Sequence, residues 1–206
     1  MFTNNKKYIL ASSSRSRFKI LTKCGFEFKK VKPLCDEDKI KKKINMKKTK
    51  PINVVKKLAF EKSKSVSILK KYSKSYVIGC DTIIYLDKKV FDKAKTIEEA
   101  YKKIKKLSGR KHKIVSGLVI CKNGKKTWSY SETTEVKIRK LNTRQIKQYL
   151  NKTGSHILES VGCYQIESLG PSIIEEIKGD FFNVMGLPLF ALLKYVSSIK
   201  WRNFTL

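Results

Sequence analysis

Apolar positions along the chain switch between strand and helix spacing, and the switches mark out its elements. "KKYILAS" (6–12) reads as a short buried strand. Ser14 then precedes a helical pattern of Phe18, Ile20 and Leu21 that stops at Gly25, the place of a C-terminal glycine. "FEFKKVKP" (26–33) alternates apolar and basic residues and predicts a second strand, followed by a lysine-rich loop over 36–51. After Pro51, the residues Val55, Leu58, Ala59, Val66 and Leu69 keep helical spacing, with Lys62 interrupting the apolar stripe. "YVIGCDTIIYLD" (76–87) is a near-continuous apolar run of the kind buried on both faces.

Thr96-x-x-Glu99 spells a capping box before the helical face of Ile97, Ala100, Tyr101, Ile104 and Leu107, which ends at Gly109. Between residues 112 and 141, two β-rich arms flank Asn123-Gly124, a strong type I′ hairpin signal. A capped helix over 142–154, short strands around 163–178 and a helix from Pro188 to about Ile199 complete the pattern. This is a mixed α/β chain with a long hairpin, without the strict alternation of a doubly wound sheet. No internal repeat or linker divides it, so residues 1–206 are expected to form one domain.

A chain of 206 residues with 41% hydrophobic content is ample for a real core. Its longest apolar stretch, 184–193, is too short to span a bilayer and is interrupted by Pro188, and the first residues lack a signal-peptide core, so a cytoplasmic protein with no membrane partner is expected. The formal charge of +30 favours anionic partners. Only six of the 47 basic residues are arginine, and the lysines are scattered through every segment. A solvated lysine coat is therefore the favoured reading, with nucleic acid as the alternative partner. Five cysteines without a CxxC pair read as small buried hydrophobes, and His112 and His156 are too far apart in sequence to suggest zinc.

The chemistry concentrates in a few residues. Asp81 ends an apolar run, where an ionised carboxylate needs a cation, a metal or hydrogen-bond donors; capping the strand together with Thr82 is the structural alternative. Glu37, beside Asp36, supplies a second carboxylate or only a surface turn. Lys62 reaches a phosphate from its apolar face or snorkels to water. Lys93 precedes a helix N-terminus, which suits a bound anion better than a lone cation. "SSSRSR" (12–17), at a strand-to-helix turn, adds hydroxyls, backbone N–H groups and the positive end of a helix, but lacks the glycines of a P-loop. Together these residues describe phosphate chemistry in which Glu37 and Asp81 hold Mg²⁺ while Arg17, Lys62 and Lys93 neutralise the remaining oxygens.

These residues, in this order, resemble the Maf-like nucleoside triphosphate pyrophosphatases, once known as septum-formation inhibitors. "LASSSRSR", "DE" (36–37), "LAFEKS" (58–63), "GCDT" (79–82), Lys93 ahead of "EEA", "LSGRKH" (107–112) and "GDFFNVMGLP" (179–188) carry the likeness from Tyr8 to about Tyr195. The resemblance implies a mixed α/β fold with two lobes around a deep cleft, cleaving a nucleoside triphosphate to monophosphate and diphosphate with Mg²⁺ or Mn²⁺. It implies Asp81 as proton acceptor, Glu37 beside it at the metal, Lys93 completing the catalytic set, and Ser12, Arg17 and Lys62 on the phosphates. Ser16 and Glu167 stand where many members have arginine and glutamine, and with Thr82 they form the expected specificity set. A carboxylate only accepts hydrogen bonds, so Glu167 tilts the expectation toward guanine-type bases, as in the 7-methyl-GTP branch. A homodimer and a non-catalytic role in cell division stay open.

Overall fold

The computed structural model describes residues 7–44, 49–87 and 89–201. Lys6 of the predicted first strand and residues 45–48 of the lysine-rich segment lie outside the described residues. Seven strands form one mixed sheet: β1 (Tyr8–Ala11), β2 (Lys29–Val31), β3 (Tyr76–Leu86), β4 (Lys89–Phe91), β5 (Lys111–Lys122), β6 (Lys125–Ile138) and β7 (Ile174–Lys178). Their order is β2-β1-β3-β5-β6-β7, with β4 paired to β3. β1 runs parallel to β2 and β3, and the other pairs are antiparallel. The mixed α/β class with a long hairpin is the class observed. Asn123 (φ 47°) and Gly124 (φ 75°) turn β5 into β6, the left-handed pair that a type I′ turn requires.

Helix α1 (Arg15–Lys23) begins where Ser14 accepts a hydrogen bond from the Arg17 backbone. Helix α3 (Pro51–Ser67) starts on its proline and buries Val54, Val55, Leu58, Ala59, Lys62 and Val66; Leu69 falls beyond its end. In α4 (Ile97–Leu107) the Thr96 cap is present, but the Glu99 carboxylate bonds the Lys95 backbone N–H instead of that of Thr96. Ile97, expected on the apolar face, is exposed. Asn142 and Gln145 do form a full capping box at α5 (Thr143–Thr153), and α7 (Leu189–Trp201) closes the described chain.

Further expectations are corrected. The lysine-rich segment contains a helix, α2 (Glu37–Lys43), because Asp36 caps it, acids fill its first turn and lysines its last, all matching the helix dipole. The second strand is only Lys29–Val31, and of the strands expected over 163–178 only Ile174–Lys178 forms. A short helix, α6 (Phe181–Val184), is added, capped by Asp180.

The core divides into two main clusters. One packs Ile84, Ile104, Leu107, Ile138 and Ile146 between the sheet and α4 and α5. The other joins Leu10, Leu21, Ile78, Leu118, Ile120 and Leu192 beneath α1 and α7. All five cysteines are free; Cys80, Cys121 and Cys163 are buried, and burial pushes every thiol up, away from the reactive thiolate.

At Gly79 of β3 and Gly117 of β5, the backbone of helix α3 lies directly against the sheet. A Cβ on Gly79 would stand 2.1 Å from the Ala59 carbonyl oxygen, and one on Gly117 would stand 2.6 Å from the Val55 carbonyl carbon. Gly79→Ala is therefore expected to cost about 3 kcal/mol by overpacking against rigid backbone. That should lower the melting temperature by roughly 6–12 °C in a thermal scan.

Candidate active site

β3 has a continuous neighbour on one edge and an interrupted one on the other. β5 pairs with it from Val77 to Tyr85, whereas β1 pairs only as far as Gly79 and β4 begins at Ile84. Asp81 and Thr82 sit in that gap. Asp81 thus stands in the middle of a strand and not at its end, because β3 continues to Leu86. Both residues line a cleft of about 560 Å³. Every site residue expected from the sequence lines the same cleft: Ser12, Ser16, Arg17, Glu37, Lys62, Asp81, Thr82, Lys93 and Glu167.

The gap is filled by Arg17, which is 9% exposed. Its Nη1 donates to the Cys80 carbonyl at 2.8 Å and to Ser12 Oγ at 3.4 Å. Nη2 donates to Thr82 Oγ1 at 3.0 Å, and Nε to the Gly186 carbonyl at 2.8 Å. Gly186 has φ +89°, a conformation that favours glycine. One planar guanidinium therefore supplies donors to a strand edge, two hydroxyls and the turn after α6, a task lysine could not duplicate. The residue expected to face phosphates commits most of its donors to protein acceptors. The backbone N-terminus of α1, with Ser13, Ser14 and Ser16, remains at the cleft wall.

Across the cleft, α3 delivers Lys62 to the opposite face of β3. Its Nζ lies 2.6 Å from Asp81 Oδ1 and 2.9 Å from Glu37 Oε2, so a single ammonium joins the two carboxylates. Lys62 and Asp81 are buried, which strengthens that attraction over a surface pair. Lys93 opens on the cleft beyond them. Desolvation by the walls, reinforced by the positive charges of Arg17 and Lys62, lowers its pKa. Two carboxylates converging on one cation position suit a hard divalent ion that keeps its waters. Among the described residues no group of three or more His, Cys, Asp or Glu side chains could hold a metal.

The opposite wall is the segment from Glu159 to Glu167. Ser16 Oγ donates to Glu167 Oε1 at 3.0 Å, and Arg15 pairs with Glu159 at 3.4 Å. Two of the three positions singled out for base selection thus touch each other. Beneath this wall, buried His112 meets the Tyr164 hydroxyl at 2.5 Å, and Ser160 Oγ donates to the Tyr164 carbonyl at 2.6 Å. Sequence reasoning missed Lys41, which pairs with Asp92 at 2.7 Å in the cleft. The signal was Lys41 standing four residues after Glu37, but it is legible only once 37–43 is known to be a helix.

A mixed sheet with an interrupted strand edge, a helix N-terminus and buried ion pairs at one cleft defines a class of α/β protein equipped for polyanions. The family model described as Maf-like protein matches residues 7–199, and the chain belongs to that family. It is 38% identical over 196 residues to a 7-methyl-GTP pyrophosphatase of Bartonella henselae, covering 95% of this chain and 94% of the relative. It is 32% identical over 190 residues to a nucleoside triphosphate pyrophosphatase of Granulibacter bethesdensis, covering 92% and 95%. With a nucleoside triphosphate pyrophosphatase of Caulobacter vibrioides it shares 33% identity over 187 residues, covering 91% and 92%. No helix among the described residues is long and apolar enough to cross a membrane.

Burial lowers the His112 pKa from 6.5 to about 4. The folded chain keeps this ring neutral while the unfolded chain protonates it below about pH 6.5. Stability should therefore be full above that pH and fall as the pH drops toward 4, by roughly 3 kcal/mol from this group. Urea unfolding across that range should show the loss, and His112→Gln should flatten it relative to the native chain.

Proposed function

We propose that the cleft hydrolyses a nucleoside triphosphate to its monophosphate and diphosphate. The observation that carries this reading is the Lys62 ammonium between Asp81 and Glu37, opposite the N-terminus of α1. Asp81 is the proton acceptor: Lys62 holds Oδ1, and Oδ2 takes a proton from the attacking water. The water oxygen adds to the α-phosphorus, the α–β anhydride bond breaks, and diphosphate leaves with the electron pair. Lys62 and Lys93 face the negative charge that gathers on the leaving oxygens, and Ser12 with the α1 N-terminus positions the chain of phosphates. Arg17 keeps Ser12 and Thr82 in place from behind.

Glu37 and Asp81 would hold a divalent metal, Mg²⁺ or Mn²⁺, which when bound supplies charge neutralisation at the phosphate oxygens. Lys62, which holds one oxygen of each carboxylate, would then turn its ammonium toward a phosphate.

For the base, Glu167 Oε1 already accepts from Ser16, leaving Oε2 to accept from the ligand. An acceptor-only group suits the N1–H and N2–H₂ of a guanine and not the mixed edge of a uracil. A relative named 7-methyl-GTP pyrophosphatase at 38% identity supports the same direction. The expected role is removal of modified or excess nucleotides from the pool.

Diphosphate release from a panel of nucleoside triphosphates tests the reading, with GTP and 7-methyl-GTP expected ahead of UTP and dTTP; the reverse order would sink the base assignment. Asp81→Asn should cut kcat by at least about 100-fold. Because it leaves buried Lys62 with Glu37 alone, it should also lower the melting temperature, so kcat is read on the folded variant well below that melt. Glu167→Gln should move the ratio of guanine to uracil substrates toward uracil by about tenfold.

A further inference from the structure

Lys103 lies in the buried face of α4, among Ala100, Ile104 and Leu107, and is 8% exposed. On sequence it belongs to the lysine coat, yet its side chain runs inward. Its Nζ donates to the Asp92 carbonyl and, at 3.1 Å, to the Val161 carbonyl. Burial lowers its pKa, against the opposing influence of Cys163, Asp92 and Glu99. An ammonium at an otherwise apolar helix face is costly unless its donors are taken up, and here backbone oxygens from two separate segments take them.

Those segments are opposite parts of the cleft. Asp92 opens the stretch that carries Lys93 and Lys95, and Val161 lies within the Glu159–Glu167 wall. The second segment is also the more strained: Cys163 is buried with φ 55°, a left-handed conformation that L side chains rarely adopt. Asp92 is held from its other side as well, by Lys41 of α2. The Ala94 backbone N–H, which bonds the Cys163 sulfur, also ties these segments; Lys103 adds a charged donor to each of them from a third element, α4.

We propose that Lys103 is a positioning residue that locks the Lys93 segment to the Glu167 segment, so that phosphate neutralisation and base selection share one rigid support. The kinetic part of this inference rests on the function proposed above; the mechanical part does not.

The test uses Lys103→Met in the full chain, which keeps most of the length of the side chain and removes its donors. Hydrogen exchange followed by mass spectrometry should show amides of 92–95 and of 159–165 both exchanging faster, by about tenfold or more, with β5 unchanged. In the same variant kcat/KM for GTP should fall by about tenfold or more, and the preference for GTP over UTP should narrow. Unchanged exchange, or faster exchange in one segment alone, would overturn the lock. Loosened segments with native kinetics on both nucleotides would overturn its bearing on substrate. If the native chain releases no diphosphate from any triphosphate, the proposed function fails while the exchange data still decide the lock. Should Lys103→Met not fold, Lys103→Leu, which is also without donors and is a good helix former, carries the same expectations and the same overturning results.

Discussion

Helix α3 rests on the sheet at two glycines, and the position of everything else in the cleft follows from how closely it can lie there. With Gly79 and Gly117 offering no Cβ, the helix backbone sits within contact distance of the strands. Gly79 and Asp81 are two residues apart and therefore project to the same face of β3. The helix that packs on the first thus carries Lys62 to the second, at 2.6 Å. A side chain at either glycine would lift α3 and lengthen that ion pair. Pairing Lys62 with Asp81 and Glu37 in turn makes the burial of Lys62 and Asp81 tolerable, since an uncompensated charge at this depth would destabilise the fold by several kcal/mol, on the order of the penalty for breaking a buried pair.

A second constraint runs through the cations that are not part of the lysine coat. Arg17, Lys62 and Lys103 are the buried basic residues of the described chain. Arg17 and Lys103 meet mainly neutral oxygens, carbonyls and hydroxyls, while Lys62 meets carboxylates. The difference separates holding a backbone in shape from presenting charge to a ligand. Elsewhere, lysine ammonium groups stand over aromatic rings, Lys29 and Lys71 at Tyr72 and Lys57 and Lys64 at Phe60, in cation–π contacts.

Elements whose signals are local were legible in the sequence. The Asn123-Gly124 turn, the Ser14 and Asn142 caps and the apolar run of β3 all state their geometry within a few residues. Helix α2 was not legible because lysine repeats hide any periodicity, and its stabilisers are a cap and a charge gradient. The extended reading of 163–168 failed because left-handed Cys163 and a hydrogen bond from the Gly170 amide to the Gln165 carbonyl turn the chain instead. The nine expected site residues do reach one cleft, since the order of their motifs along the chain carries the topology. What the sequence could not show is direction: Arg17 faces strand edge and turn, and Lys103, one of many lysines, faces inward.

The hydrogen bond from Arg17 to the Gly186 carbonyl joins residues 169 apart in sequence. The long hairpin and the helices can form from neighbouring residues, but this bond waits for nearly the whole chain. During synthesis the nascent protein would therefore display its serines and cations long before the floor behind them is in place. The cleft cannot be complete before residue 186 has been made, so a half-made chain carries no competent site.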